Sequence, residues 1–352
     1  MKNLIVDANF PRTLDERVYH LGIKAGEVAN RIVTVGAPSR AERIATYLDS
    51  SPKPFVLNTE RGFLTITGRY KGVPVSIVSI GMGSPNMDFF VREARECLNG
   101  DLVVVRLGSC GALIDVKVGA VVVPKASIAV NRNYDFDFVN GSSNQEDPYR
   151  VSKPVAADVE LSALLKDTFE RTREPVIQSE IVSGTLNAST DSFYSSQGRI
   201  TSFPDHNADI IDKLKASHSN LATFEMETFH LFHLAASWPT RERPSQVATA
   251  PISSVAAGRS IAEPGTAAHQ EVPSTVESSA QDGHVLVPQP RIRAAAAQMV
   301  FAARGSRDFI TPEQVSVLEN WCAVAVLESL ASFKIEPERL HSEVGSVWEV
   351  KA

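Results

Sequence analysis

Leu102-Val103-Val104-Val105-Arg106-Leu107 is the most strand-like run of this 352-residue sequence, and Gly108-Ser109-Cys110-Gly111 follows it directly. The run is apolar on both faces until Arg106, as in a central strand that is covered on both sides of a sheet. An unpaired charge in such a strand is costly, so Arg106 should have a partner or a ligand. We predict that the glycines form a turn at the strand end, where backbone amides and the Ser109 hydroxyl can approach an oxyanion.

Strand-like and helix-like segments alternate on both sides of this run, which indicates an α/β sheet. Lys71-Gly72 joins two strands as a predicted hairpin turn, and ligands should lie at the carboxyl ends of the strands. The further predicted strands are 32–35, 63–70, 73–80, 118–123, 176–182, 221–225 and a strand beginning near 293. Helical periodicity covers 40–48, 85–99, 155–171, 208–216, 226–236 and 315–333.

Residues 239–290 break this order. They hold seven of the twenty prolines, many Ser, Ala and Thr, and no Phe, Tyr or Trp. Such a segment cannot bury enough apolar area to offset the entropy of ordering it. We therefore predict one domain made of 1–238 and 291–340, interrupted by a mobile insertion. A separate small domain is the alternative, which the lack of aromatic residues disfavours.

Composition excludes several function classes. The chain has 35 basic and 41 acidic residues, a net charge of −6, so sequence-independent binding to nucleic acid or to acidic lipid is not expected. Three cysteines suit neither a disulfide framework nor a metal site. The sequence predicts no transmembrane run and no signal peptide. These features predict a cytoplasmic protein that acts on a small molecule.

Two more arginines adjoin glycines at strand ends. Arg40 closes Gly36-Ala37-Pro38-Ser39-Arg40 at a predicted strand-to-helix junction, where free backbone amides favour an anion. Arg61 precedes the strand that begins at Gly62-Phe63. Taken alone, each arginine is more typical of an ordinary salt bridge. Arg106 fits that interpretation least, because an unpaired charge in a central strand is costly.

A second polar cluster is Asp191-Ser192-Phe193-Tyr194-Ser195-Ser196-Gln197-Gly198-Arg199. Gln197 and Arg199 are two positions apart, so they point the same way in an extended loop. Their amide and guanidinium groups suit the edge of a planar ring with alternating carbonyl and N–H groups, and Phe193 offers a stacking face. A solvated polar loop is an equally good interpretation from composition alone.

The third cluster is Phe224-Glu225-Met226-Glu227 at a strand-to-helix boundary. Glu227 falls in the first predicted helical turn, where it either compensates the helix dipole or accepts hydrogen bonds from vicinal hydroxyls. Met226 would supply an apolar cover for such a ligand.

These three clusters, in this order, resemble the nucleoside phosphorylase-I family and, within it, the uridine phosphorylases. The resemblance covers about 19–236 and 293–333, and it implies a single-domain, three-layer phosphorylase/hydrolase-like fold with a mixed central sheet flanked by helices. It also implies a phosphate site and a ribose site. The phosphate site would comprise Gly36, Arg40, Arg106, Ser109 and, from a neighbouring subunit, Arg61. The ribose site would comprise Glu225, Met226, Glu227 and, again across a subunit boundary, His20.

Two positions depart from the family pattern. Ala37 replaces the usual aspartate of Gly-Asp-Pro-x-Arg, and Ser109 stands where bacterial relatives commonly carry threonine, which preserves the hydroxyl. Some relatives hold a monovalent cation with a glutamate directly after the equivalent of Arg61. That position is Gly62 here, so a structural potassium ion is not expected.

By the same resemblance, Phe193, Gln197, Arg199 and Arg304 would bind uracil. Purine-specific members carry an aspartate near Arg304 that protonates the purine, and Asp308 lies four residues further on, so the pyrimidine interpretation is preferred. Arg106, Arg199, Arg304 and Glu227 would be the catalytic residues, with no covalent nucleophile.

The resemblance thus implies reversible phosphorolysis of uridine by a homodimer or larger homo-oligomer. The expected partners of the protein are uridine and phosphate. No binding of nucleic acid, membrane, metal or cofactor is expected. Three alternatives stay open: a purine nucleoside phosphorylase, a nucleosidase that uses water, and a non-catalytic relative that uses the fold for binding or storage.

Overall fold

A computed structural model describes residues 4–141, 146–173, 179–238 and 289–351. Within these residues, twelve of fourteen strands form one mixed sheet, and the other two pair with each other. The strands are β1 (Ile5–Val6), β2 (Arg12–Thr13), β3 (Arg31–Val35), β4 (Phe55–Asn58), β5 (Leu64–Tyr70), β6 (Val73–Ser79), β7 (Leu102–Ala112), β8 (Val121–Arg132), β9 (Tyr149–Val151), β10 (Val155–Ala156), β11 (Ile181–Thr190), β12 (Leu221–Glu225), β13 (Ile292–Ala303) and β14 (Asp308–Phe309).

Five of these strands close into a ring. β7 pairs in parallel with β13, which pairs antiparallel with β8. β8 continues in parallel to β11 and then to β12, and β12 returns antiparallel to β7. Within this ring no strand has a free edge, which limits how far any one of them can move. Periodicity alone did not indicate the closure.

The predicted glycine turn after Leu107 is wrong. β7 continues through Gly108-Ser109-Cys110-Gly111 to Ala112 and stays paired with β13 over this length. The glycines serve close packing, because a Cβ at Gly108 would lie 2.4 Å from the Gln298 side-chain oxygen. Ser109 therefore sits on a strand of the ring and is not a turn residue.

The first half of β7, on the edge opposite β13, also carries the open part of the sheet, in the order β3, β6, β5, β4. β3 runs parallel to both β7 and β6, and β5 and β4 are antiparallel additions. The predicted turn at Lys71-Gly72 is confirmed, with positive φ angles of 51° and 80° at the two residues. Two positive φ angles match the twist of a two-residue hairpin.

Helices cover both faces of the sheet, so the α/β class with a mixed central sheet is confirmed. α1, α3 and α6 pack in one apolar cluster, and α2 and α5 pack in a second one on the opposite face. Within the described ranges the helices are α1 (Pro38–Ala45), α2 (Ser84–Glu96), α3 (Val159–Thr172), α4 (Ile210–Ser217), α5 (Thr228–Ser237) and α6 (Pro312–Ser332).

Some predicted element ends are wrong. Residues 155–156 form β10 and not the start of a helix, and β8 begins at Val121 and runs to Arg132. Glu227 precedes α5 as its N-cap, with φ −136°, and is not in its first turn. The Glu227 side chain makes no cap on α5, so its carboxylate can bind other partners.

By length and composition α6 could cross a membrane, although the sequence analysis predicted no transmembrane run. Half of the most apolar stretch of this helix is buried inside the protein, however. Trp321, Cys322, Val326 and Leu330 are among its buried residues and belong to the apolar cluster with α1 and α3. α6 is thus a core helix of this fold.

The predicted insertion lies almost wholly outside the described residues, so its mobility stays a prediction. Its flanks are described, and the indole N–H of Trp238 donates to the carbonyl of Pro290 at 3.0 Å. The chain also continues past the predicted end at 340. Trp348 is buried, and the amide of His341 donates to Asn30 at 2.8 Å.

Candidate active site

A cavity of about 430 Å³ lies beside Ser109–Gly111 of β7 and beyond the carboxyl ends of β3 and β12. It collects members of all three sequence clusters, although these are far apart in the chain. The predicted site residues that border it are Gly36, Arg40, Arg106, Ser109, Phe193, Gln197, Arg199, Glu225, Met226 and Glu227.

Arg106 and Glu227 form a buried ion pair at this cavity. Nη2 of Arg106 donates to Glu227 at 2.8 Å, and the side chains are only 4% and 6% exposed. The backbone amide of Gly83 donates to the second carboxylate oxygen of Glu227 at 2.6 Å. Nε and Nη1 of Arg106 are buried and have no hydrogen-bond partner among the described residues. A buried guanidinium with two free donors is suited to an oxyanion.

Glu225 is held by the protein itself. One carboxylate oxygen accepts from Asn187 at 2.7 Å and from the Ser189 hydroxyl. The other accepts from the amides of Glu227 and Thr228 at 2.8 and 2.9 Å. Burial and the neighbouring Glu227 raise the pKa of Glu225, and these hydrogen bonds oppose the rise. With its acceptors engaged, Glu225 shapes the turn that presents Met226 and Glu227.

Arg40 approaches the cavity from α1. Its Nε donates to Glu319 of α6 at 2.8 Å, and its Nη1 makes a long contact of 3.5 Å with the carbonyl of Leu107. Ala37, at the departure from the family pattern, is the N-cap of α1 and makes no side-chain cap. Gly36 permits close packing here, because a Cβ would lie 3.3 Å from the Gly81 carbonyl and 3.7 Å from Arg106.

Gln197 and Arg199 meet, as their spacing predicts, but through a short 3-10 helix, Ser195–Gln197, and not an extended loop. Nη1 of Arg199 donates to the side-chain oxygen of Gln197 and, at 2.6 Å, to the carbonyl of Phe193. The amide of Gln197 donates to Thr190 at 2.9 Å. The Arg199 guanidinium also covers the Phe193 ring at 3.7 Å, so that face of the ring is occupied by the protein.

Arg304 stands next to this pair without bordering the cavity. It donates to the carbonyl of Gln197 at 3.0 Å, and its side chain lies beside Gly111. Burial, together with the charge of Arg304, lowers the pKa of Arg199 to about 10, and burial lowers that of Arg304. Two adjacent guanidinium groups create a positive field that favours negative charge on a bound ring.

Besides Arg304, two predicted residues do not border the cavity of this single chain. Nδ1 of His20 is hydrogen-bonded to the carboxylate of Glu93 at 2.6 Å, and the His20 ring stacks on Phe89 with ring centroids 3.8 Å apart. The Arg61 guanidinium lies 3.9 Å from the centre of the Tyr19 ring. The structure therefore does not bring His20 and Arg61 together with the other predicted site residues.

Sequence reasoning missed several residues at the cavity. Met82 and Gly81 come from the loop before α2, and the glycine-rich pattern of that loop was the available signal. Phe301, Ala302 and Phe309 come from the β13–β14 region and carried no recognisable pattern. Asp308, by contrast, is exposed and borders a separate groove with Asp115 and Lys117. Its neighbour on β14, Phe309, borders the cavity, and neighbouring residues of a strand face opposite ways.

The described residues contain no group of three or more His, Cys, Asp and Glu side chains that could hold a metal ion. The polar groups of the cavity are arginines, carboxylates, an amide and a hydroxyl. Such a set binds anions and hydroxyls directly and needs no metal to do so.

A family model of the phosphorylase superfamily matches residues 30–287. The chain belongs to the phosphorylase superfamily. Among curated members of this superfamily, a uridine phosphorylase of Thermococcus kodakarensis is 30% identical over 239 residues, covering 67% of this chain and 78% of its own. A DeoD-type purine nucleoside phosphorylase of Oceanobacillus iheyensis is 31% identical over 221 residues, covering 62% and 81%.

Solved structures agree with this assignment. One, from a study of two uridine phosphorylases of the oomycete Phytophthora capsici, is 35% identical with a TM-score of 0.74, covering 94% of this chain and 100% of that one. A Trypanosoma brucei nucleoside phosphorylase, 18% identical with a TM-score of 0.65, shares the fold. The resemblance inferred from the motifs is thereby confirmed at the level of the superfamily.

Proposed function

We propose that this superfamily member is a uridine phosphorylase, which converts uridine and phosphate reversibly to uracil and ribose 1-phosphate. The observation that carries the proposal is a single cavity that joins buried, partly unpartnered Arg106 to the Gln197–Arg199 pair. Relatives described as uridine phosphorylases support the pyrimidine assignment.

In the proposed reaction, a phosphate oxygen attacks the anomeric carbon while the bond from that carbon to the uracil nitrogen breaks. The bonding electrons leave with the base, and the sugar passes through a cation-like state, as in other glycosidic cleavages. Arg40 and Arg106 would bind phosphate, aided by the Ser109 hydroxyl. Alignment of the two substrates supplies the entropic part of the acceleration.

Different residues would bind the ribose and the base. Glu227 would accept hydrogen bonds from ribose hydroxyls beneath Met226. Gln197, Arg199 and Arg304 would stabilise negative charge on the departing uracil, and Phe193 would form part of the wall. The described residues that line this cavity include no aspartate, which the purine alternative requires, and Asp308 borders another groove.

Release of uracil from uridine, followed by absorbance with and without phosphate, tests the proposal. We expect cleavage of uridine that depends on phosphate and no cleavage of inosine in a parallel assay. Inosine cleavage would indicate a purine nucleoside phosphorylase, and release without phosphate a nucleosidase. Turnover of neither nucleoside would favour a non-catalytic relative.

We further propose that the active form is at least a homodimer, in which His20 and Arg61 complete a neighbouring site. Their position outside the cavity of their own chain supports this. Mixing the impaired His20→Ala and Arg199→Ala proteins tests it, since hybrid dimers would regain one intact site. Failure to regain activity under conditions that exchange subunits would contradict shared sites.

Cytoplasmic localisation and independence from cofactors are also proposals. Cys97, Cys110 and Cys322 are free and buried, which suits a reducing compartment. We expect activity to persist after chelation with EDTA and after replacement of potassium by a bulky organic cation. Loss of activity on either treatment would contradict the expectation.

A further inference from the structure

Glu319 connects helix α6 to the proposed phosphate site. Its carboxylate lies between two arginines of α1, accepting from Nε of Arg40 at 2.8 Å and pairing with Nε of Arg43 at 3.2 Å. Arg43 is itself tied to α6, through Ser316 at 3.0 Å and Asn320 at 3.2 Å. Glu319 is 9% exposed, so this pairing takes place largely out of solvent.

The guanidinium of Arg40 is constrained from several sides. Glu319 holds Nε, the carbonyl of Leu107 faces Nη1 at 3.5 Å, and the ring of Phe301 lies 5.6 Å from Cζ. Among the described residues, Nη2 has no hydrogen-bond partner, and Arg40 borders the cavity. A guanidinium is a rigid planar fork, so fixing its Nε edge also fixes the direction of its Nη edge.

We propose that Glu319 is a positioning residue, which orients Arg40 so that its free Nη2 amino group points at phosphate. The proposal rests on the proposed function, since phosphate is the ligand that Arg40 would bind there. Glu319 lies behind Arg40 and is absent from the cavity wall. It therefore acts through Arg40 and does not contact either substrate.

Glu319 has two effects on an anion, and they oppose each other. Its hydrogen bond orients Arg40, which strengthens phosphate binding, while its negative charge weakens the positive field of Arg40. Two substitutions separate these effects. Glu319→Gln keeps the length and one acceptor oxygen but removes the charge, whereas Glu319→Ala removes both.

If positioning dominates, Glu319→Ala raises the KM for phosphate at least tenfold and leaves the KM for uridine within twofold of the wild-type value. Glu319→Gln then keeps the KM for phosphate within threefold of the wild-type value. If the charge dominates, both variants lower the KM for phosphate. Four results would overturn the proposal. They are a lowered KM for phosphate in both variants, an unchanged KM for phosphate in Glu319→Ala, an equal rise in the KM for phosphate in both variants, and an equal rise in the KM for phosphate and for uridine.

Glu27→Ala is the matched control. Glu27 is buried, pairs with the partly exposed Arg17 at 2.7 Å and does not border the cavity. It controls for the loss of a buried carboxylate as such, so its KM for phosphate should stay unchanged. If it rises as much as in Glu319→Ala, the effect is general destabilisation and the proposal is wrong.

Glu319→Ala leaves Arg40 without its partner and can fail to fold. In that case Glu319→Asp, which withdraws the carboxylate by one methylene, should raise the KM for phosphate at least threefold while Glu319→Gln does not. An unchanged KM in the aspartate variant would overturn the proposal.

Thermal unfolding with inorganic phosphate alone separates this inference from the proposed function. Phosphate should raise the melting temperature of wild type and Glu319→Gln, because a ligand stabilises the folded state that binds it. The rise should be absent or much smaller in Glu319→Ala or its aspartate substitute. If wild type responds to phosphate but cleaves no uridine, the proposed function fails while the positioning role is still tested. If wild type cleaves uridine and the variants respond like wild type, only the positioning role fails.

Discussion

The guanidinium of Arg106 and the carboxylate of Glu227 are joined by a hydrogen bond of 2.8 Å, although the residues lie 121 positions apart. In the proposed function, the first binds phosphate and the second binds ribose. The two substrates would therefore be recognised by the two halves of one ion pair. Phosphate bound to Arg106 would weaken its hold on Glu227 and leave that carboxylate a better acceptor for ribose hydroxyls.

Loss of either member of this pair should destabilise the protein. In Glu227→Met the buried charge of Arg106 is left without its carboxylate, and we expect a loss of about 3–5 kcal/mol in the free energy of unfolding. In Arg106→Met/Glu227→Met neither charge remains, so the loss should be smaller than the sum for the two single variants. Urea unfolding of all four proteins measures the coupling, and additive losses would show that the pair contributes nothing.

Arg199→Ala should lower kcat/KM for uridine at least tenfold, and by up to about 3 kcal/mol in transition-state free energy, without unfolding the protein. The reason is loss of the donor that Gln197 and Phe193 hold in place. Steady-state kinetics and far-UV circular dichroism check the two parts. Arg150→Ala, a surface arginine paired with Asp135, is the control and should leave kcat/KM unchanged. Unchanged kinetics in Arg199→Ala would remove this residue from the base site.

Gly108→Ala should destabilise the protein by about 1–3 kcal/mol, because overpacking a buried site forces neighbours to move. The new Cβ would meet the Gln298 oxygen at 2.4 Å, and Gln298 also donates to Thr228 at 2.6 Å at the start of α5. Gly305→Ala is the control, since a Cβ there meets nothing within 4 Å. Equal melting temperatures for the two variants would contradict this account of the glycine.

Glu225 should give the stability of the protein a pH-dependent component. Its pKa is raised in the folded state by burial and by Glu227, so the folded protein binds this proton more tightly than the unfolded chain. The resulting stabilisation is complete below the ordinary glutamate pKa and is lost as the pH rises through the raised value. Glu225→Gln cannot titrate and should lack that fall.

Melting temperatures from pH 4 to pH 8 test this prediction as a difference between wild type and Glu225→Gln. The absolute stability of the variant should be lower, since the amide cannot accept from all the donors around Glu225. Exposed Glu60→Gln serves as the control for removing a charge. A constant difference between wild type and Glu225→Gln over this range would refute the pH dependence.

Replacing residues 240–287 with a short Gly-Ser linker should leave a folded, active enzyme. The flanks are held together by the hydrogen bond from Trp238 to Pro290, so a few residues can span the gap. Loop-closure entropy also grows only slowly with length, which makes the shortened connection tolerable. Insoluble or inactive protein would show that the replaced segment contributes to the core or to the site.

Local patterns accounted for much of the fold. β12 matches its predicted bounds, and β3 and β6 differ from theirs by one residue, because apolar runs bounded by turn residues carry their own signal. β7 was predicted too short, since glycines that end a strand in one context permit close strand packing in another. Its continuation depends on pairing with β13, which is nearly 200 positions away.

The candidate site was predictable where several short clusters combined. Arg40, Arg106, Gln197 and Glu227 border one cavity, although each alone had an ordinary interpretation. Glu319 could not be found in this way, because its partner Arg40 lies 279 positions earlier and a glutamate on a helix is usually exposed. Such partners are set by tertiary packing, which periodicity does not record.

The closed ring of five strands has a consequence for how specificity can change in this fold. Arg106 and Ser109 on β7, Glu225 at the end of β12 and Arg304 directly after β13 are all attached to the same loop of paired backbone. A shift of one strand would have to be accommodated around the entire circuit. Substrate specificity can therefore change more easily by exchange of side chains, or by alteration of the flanking segments at Met82 and Phe309, than by movement of the five strands. Those strands carry the arginines and carboxylates.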